Sequence, residues 1–198
     1  MGALRNIKKY TNLSRFFLAY FLFSNAFSVL ALYVAIYAKD ILRFGLYEIA
    51  ILFMLGLLPT VASSIFFGLL TDRIGAKRTI TITLIIWILI IFLVTFFTVK
   101  IVFYIGWILA AITTGSTLIA SRSLITFLIP ADSEAEFFGF YSISGKMSSI
   151  VGPITFGLIS FITRNQRIAL LSTLLFLISG LIILQLVKVD YRRLKSPV

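Results

Sequence analysis

The sequence predicts an all-α integral membrane protein, a bundle of six transmembrane helices forming one domain over residues 1–198. Hydrophobic residues make up 60% of it and charged residues 13%, against about 45–50% and about 25% in ordinary soluble chains. Mean hydropathy is +1.08. Apolar stretches close to the ~20 residues needed to cross a bilayer recur at 16–37, 49–70, 80–99, 101–119, 138–161 and 169–187. Lys and Arg gather in alternate gaps between them, as the positive-inside rule describes.

The same composition excludes other classes. Lys+Arg outnumber Asp+Glu by 18 to 7, but nucleic-acid binding needs a basic face on a soluble module. Here the cations punctuate apolar runs, so the expected partner is the lipid bilayer and no nucleic acid. The chain has no Cys and no His. Disulfides, thiolate nucleophiles and the commonest general base and metal ligand are therefore absent, and no carboxylate pair lies deep in an apolar stretch. No enzyme activity, cofactor or metal is expected.

Arg5, Lys8 and Lys9 precede the first stretch, 16–37. It is longer than the ~7–15 residues of a signal-peptide core, so it reads as a retained first span. Asn25 is polar within it. The second stretch, 49–70, contains Pro59, which a span tolerates as a bend. Next comes "GLLTDRIGAKRT", where Asp72, Arg73, Lys77 and Arg78 crowd into a short turn. Little more than Lys100 separates the third and fourth stretches, which predicts a tight helical hairpin. Arg122 ends the fourth as an interfacial anchor.

"SRSLITFLIPADSEAEFFGFY" links the fourth and fifth stretches. Pro130 ends or kinks whatever precedes it, and Ser133 with Glu136 has capping-box spacing. Asp132, Glu134 and Glu136 then lie at the positive end of the fifth helix, where its dipole favours them.

Alternate gaps divide the cations unequally. Arg5, Lys8, Lys9, Arg15, Arg73, Lys77, Arg78, Arg122, Lys188, Arg192, Arg193 and Lys195 fall on one side. Lys39, Arg43, Lys100, Arg164 and Arg167 fall on the other. The richer side is the cytoplasmic one, so both termini and the Asp72 loop are expected in the cytoplasm, in a multi-pass protein of the cell membrane.

Lys146 is the exception, lying well inside the fifth stretch. Two readings stand. An ionisable residue in a span marks a function, because it is costly without a cavity or partner; alternatively, its long stem snorkels to the headgroups. Helical spacing groups Ser142, Gly145, Lys146, Ser149 and Pro153 as a small, polar stripe. Every acid falls in or near a loop, so a counter-ion must come from a solute carboxylate or phosphate, or from another subunit. Gly152 and Pro153 form a candidate helix bend.

Residues Gly68, Asp72, Arg73, Gly75, Lys77 and Arg78 stand as G-x-x-x-D-R-x-G-x-K-R. This resembles the cytoplasmic-loop signature of the major facilitator superfamily, in the same place between the second and third helices. The physical reading is coherent: Gly68 permits close helix approach, Gly75 suits a tight turn, and the charges form a breakable lock. "FFLAYFLFSNAF" and "SRSLITFLIPADSEAEFFGFYSISGKMSSIVGP" resemble the C-terminal half of the vacuole-effluxer-like branch, relatives of the autophagy-linked amino-acid effluxers.

That resemblance covers nearly the whole chain and carries definite implications. The bundle would be one half of a major facilitator fold, a half-size secondary transporter. It would move a small polar solute, such as amino acids, by alternating access with a second six-helix half. That second half would be another copy or a separate N-terminal half. Lys146, Asn25, Ser142 and Ser149 become the substrate-binding set, and Arg122 joins the loop motif as a gate residue. Asn25 stands where the resemblance leads one to expect Asp; an amide does not titrate, so no proton is carried there. Gly145, Gly152-Pro153 and Gly157 resemble the superfamily's glycine-proline bend without its full pattern. The alternative is a truncated or non-transporting membrane interaction protein.

Overall fold

A computed structural model of the chain describes residues 10–130 and 133–189. Arg5, Lys8, Lys9, Asp132, Asp190, Arg192, Arg193 and Lys195 lie outside the described residues. Six long helices follow one another: α1 Thr11–Asp40, α2 Leu46–Ile74, α3 Ala76–Phe96, α4 Lys100–Leu128, α5 Glu134–Thr163 and α6 Gln166–Gln185. Each carries an apolar window long enough to cross a bilayer, and among the described residues there is no strand. The described residues form a six-helix multi-pass membrane bundle.

Helices α1, α2, α4 and α5 overrun the apolar stretches that announce them at both ends, while α3 and α6 start earlier and end earlier than theirs. At ~1.5 Å per residue, the 30 residues of α5 extend about 45 Å, well beyond the ~30 Å of hydrocarbon. The largest difference is in α4, which the sequence ends near residue 119 and which continues to Leu128. Hydropathy falls there while helical periodicity continues: Ser121, Leu124 and Ile125 are buried and Arg122 is exposed. Arg122 is thus on the flank of the helix and does not terminate it. Loop 97–99 closes the α3–α4 hairpin, and Lys100 is the first residue of α4. One other expectation is modified by the structure. Ser133 holds the N-cap position of α5, but its side chain makes no cap hydrogen bond. Glu48 reaches back to the Gly45 N–H at 2.8 Å, so the acid of a box-like cap is at α2.

Two three-helix groups make up the bundle. α1 packs along α5 and α6, α4 packs along α2 and α3, and α3 meets α6 where the groups join. Small residues allow this, since in lipid the gain comes from close packing of surfaces. A Cβ at Gly152 would lie 2.5 Å from the Asn25 carbonyl oxygen, and one at Gly115 would lie 2.6 Å from the Thr60 oxygen. Buried hydroxyls add bonds between helices, such as Thr117 Oγ1 to Thr83 Oγ1 at 2.8 Å.

The two ends of the bundle are tied separately. At one end, Lys77 Nζ donates to the carbonyls of Gln185 and Val187 at 2.9 and 2.8 Å. Arg15 donates to the Leu186 carbonyl at 3.0 Å. Three consecutive carbonyls at the end of α6 are therefore held by cations from α1 and α3, the charge sign that a helix C-terminus favours. At the other end Lys100 pairs with Glu48 at 2.5 Å, and Gln166 donates to Asp40 at 2.8 Å.

Candidate functional site

Helices α2 and α5 are the least enclosed: 17% of each apolar window is buried, against 44–50% for α1, α3 and α4. Their open faces differ in chemistry. Met54, Leu57, Leu58, Val61, Ile65 and Leu69 leave that of α2 apolar. On α5 the residues Phe137, Tyr141, Ser148, Gly152 and Phe156 are buried, which turns Ser142, Lys146 and Ser149 together to the exposed side. Ile143, Met147, Ile150, Ile154 and Leu158 form a separate exposed apolar strip. One face of α5 suits hydrocarbon, and the adjoining one does not.

Lys146 is the thirteenth of the thirty residues of α5, about 18 Å along it and close to its middle. Its Nζ has no hydrogen-bond or ion-pair partner among the described residues. Its four-carbon stem is short against the ~15 Å half-thickness of a hydrocarbon core. Ser149 Oγ donates to the Lys146 carbonyl at 2.7 Å, a bond that keeps the hydroxyl close to the helix. Asn25, which the sequence groups with these residues, is separated from them by the fold. It is fully buried under α5, its Nδ2 donating to the Phe21 carbonyl at 2.6 Å and its Oδ1 lacking a partner.

A tyrosine pair extends the site in a way the sequence did not suggest. Tyr20 of α1 and Tyr141 of α5 have ring centroids 4.2 Å apart, and a Cβ at Gly145 would be 3.4 Å from the Tyr20 hydroxyl. The Arg122 guanidinium and the Tyr20 hydroxyl both lie within reach of the buried Tyr141 hydroxyl, without closing a hydrogen bond to it. The pair thus connects the α4 cation to the segment carrying Lys146. Tyr141, Gly145 and Ser148 share one face of α5, the only sequence signal available. A cleft of about 240 Å³ among α1, α2, α3 and α4 is lined by Phe27, Gly56, Thr60, Trp107 and Thr114. It is mostly apolar, and Lys146 does not line it.

In the loop motif, Gly75 adopts φ 89°, the tight turn expected of it, and a side chain there would be strained. Asp72, Arg73 and Arg78 are exposed. At Gly68 nothing among the described residues lies within 4 Å of where its Cβ would be. Lys77 turns inward to the end of α6. Pro59 and Pro153 lie within α2 and α5 without ending them.

The model of the vacuole effluxer Atg22-like family matches residues 1–195 of this chain. The chain belongs to that family. Among its relatives is the uncharacterized MFS-type transporter YxiO of Bacillus subtilis, 28% identical over 186 residues, 93% of this chain and 43% of the relative. Autophagy-related protein 22 of Pichia angusta is 27% identical over 191 residues, covering 90% of this chain and 34% of that protein. That of Kluyveromyces lactis is 42% identical over 67 residues, 34% of this chain and 14% of that protein. The chain spans less than half the length of these relatives. The family is described as one of effluxers and YxiO as a transporter, neither of them an enzyme.

Proposed function

We propose that this chain supplies one six-helix half of a major-facilitator-type transporter and moves a small polar solute by alternating access with a second half. The observation that carries the reading is the open face of α5, where an unpaired mid-helix Lys146 stands with Ser142 and Ser149 beside a separate lipid-like strip. A charge so placed needs a water-filled path or a partner surface, and a second half would enclose one. Coverage of less than half of each relative agrees with this.

Lys146 is the substrate-contact residue, flanked by Ser142 and Ser149; its charge selects a solute carboxylate or phosphate, and amino acids are the class that the resemblance in sequence suggests. Asn25 contributes through the α1–α5 contact, and Gly152 with Pro153 forms the bend on which α5 moves. Gly68, Asp72, Arg73, Gly75, Lys77 and Arg78 make the loop that closes the inner gate against the other half, with Arg122 beside it. Gly68, with nothing among the described residues within 4 Å of its Cβ position, is free to receive that half. Both termini and this loop are cytoplasmic, and the membrane is the cell membrane. The second half is a further six-helix bundle of the same type.

Proteoliposome flux tests the reading. Labelled amino acids should cross only when the chain is reconstituted at a density that permits pairing, or together with a candidate six-helix partner. Passive vesicles under both conditions would leave a membrane interaction protein as the better description.

A further inference from the structure

A second feature borders the gate loop and takes in two of its cations, Lys77 and Arg78. Where α3 meets α6, at the end of the bundle carrying Lys77, a cleft of about 610 Å³ is lined by Lys77, Arg78, Thr81, Ile82, Gln185 and Lys188 among others. None of its lining residues is acidic. Lys77 is anchored to the Gln185 and Val187 carbonyls, and Gln185 Nε2 donates to Thr81 Oγ1 at 2.9 Å, so the floor is built by hydrogen bonds between the two helices. Arg78 and Lys188 are exposed, and their side chains form no hydrogen bond or ion pair among the described residues. Arg78 can offer a planar fork to a phosphate, and Lys188 a point charge.

Away from this mouth the surface changes character. Ile82, Ile85 and Leu89 follow Arg78 along one face of α3, and Leu175, Ile178 and Ile182 precede Gln185 on one face of α6, all exposed. A soluble anion would satisfy the cations and leave this apolar surface unused. A molecule with a phosphate at one end and hydrocarbon at the other matches both.

We propose that the α3–α6 cleft binds an anionic phospholipid, its phosphate between Arg78 and Lys188 and an acyl chain along Ile82, Ile85 and Ile182. Basic pockets between transmembrane helices take anionic headgroups in this way. The bound lipid would brace the end of α6 that Lys77 and Arg15 already hold.

Native mass spectrometry of the purified full chain, with added phosphatidylglycerol or phosphatidylcholine, tests this. Phosphatidylglycerol should be retained in preference, and R78Q/K188Q should reduce that preference by about fivefold for each cation removed. R78K/K188R should keep most of it, and R164Q/R167Q, at the far end, all of it. Millimolar inorganic phosphate should not displace the lipid. Equal retention of the two lipids, an undiminished preference in R78Q/K188Q, or an equal loss in R164Q/R167Q would overturn the site. Displacement by phosphate would also overturn it, making the cleft a soluble-anion site. If R78Q/K188Q does not fold, each single variant should still show its own loss, and a full preference in both would refute the proposal.

Discussion

Gly152 of α5 sits directly on the backbone of Asn25 in α1, where a Cβ would lie only 2.5 Å from the Asn25 carbonyl oxygen and has no room. This contact sets the rotation of α5. It buries Gly152 together with Ser148 and Phe156, and Lys146, two residues from Ser148 and so about 200° around the helix, must face outward. Packing of small residues in one place thus decides where a charge is presented in another.

Gly152→Ala should accordingly destabilise the bundle by about 1–3 kcal/mol, the cost of overpacking against backbone that cannot move aside. Gly115→Ala, facing the Thr60 carbonyl at 2.6 Å, should behave alike. Gly139→Ala is the control. Nothing lies within 4 Å of its Cβ position, so only helix propensity changes, favouring Ala by about 1 kcal/mol. Thermal unfolding in detergent ranks the three, and equal melting temperatures would contradict the packing account.

Lys146→Met should lower flux by about tenfold or more, with the amount inserted in the membrane nearly unchanged, because no partner among the described residues is lost. Lys146→Arg should be tolerated only in part, since a planar fork is not a point charge. Full flux in the Met variant would show that the ammonium only snorkels.

For topology, the absence of Cys gives a clean background for single cysteines. Positions 73 and 164 are exposed at opposite ends of the bundle. In intact cells an impermeant thiol reagent should label R164C from outside and reach R73C only after permeabilisation. The reverse pattern would invert the proposed orientation.

Lys77→Met removes the donor to two carbonyls at the end of α6. Amide hydrogen exchange over 183–187 should accelerate, by about fivefold for a loss near 1 kcal/mol, with little change at the Lys100 end. Uniform acceleration throughout the chain would mean that Lys77 supports the fold as a whole.

Cysteines at Asp72 and Ala135, both exposed, should crosslink between chains if two copies form the inner gate. A chain that stays monomeric and still transports would refute pairing of halves. Each exposed charge pair contributes at most about 1 kcal/mol, so Asp72→Asn should shift the gate toward open without dissociating the assembly.

The sequence by itself determined six spans, the alternation that places the Lys77 and Lys188 cations at one end, the stops at Gly75 and Pro130, and the oddity of Lys146. These follow from local quantities: hydropathy over about one bilayer thickness, helical periodicity and the chemistry of single residues. It could not show that α4 runs on past its apolar stretch to Leu128, because hydropathy reports residence in lipid and not hydrogen-bonded helix. Nor could it separate Asn25 from Lys146. Both are polar groups in apolar spans, and only the α1–α5 contact buries one and exposes the other. Lys77 looked like another loop cation until the fold brought the end of α6, more than a hundred residues away, to its ammonium. The Tyr20–Tyr141 pair and the α3–α6 cleft are tertiary for the same reason. Each is made by two helices distant in sequence, and which faces meet is decided by where small residues let two backbones approach.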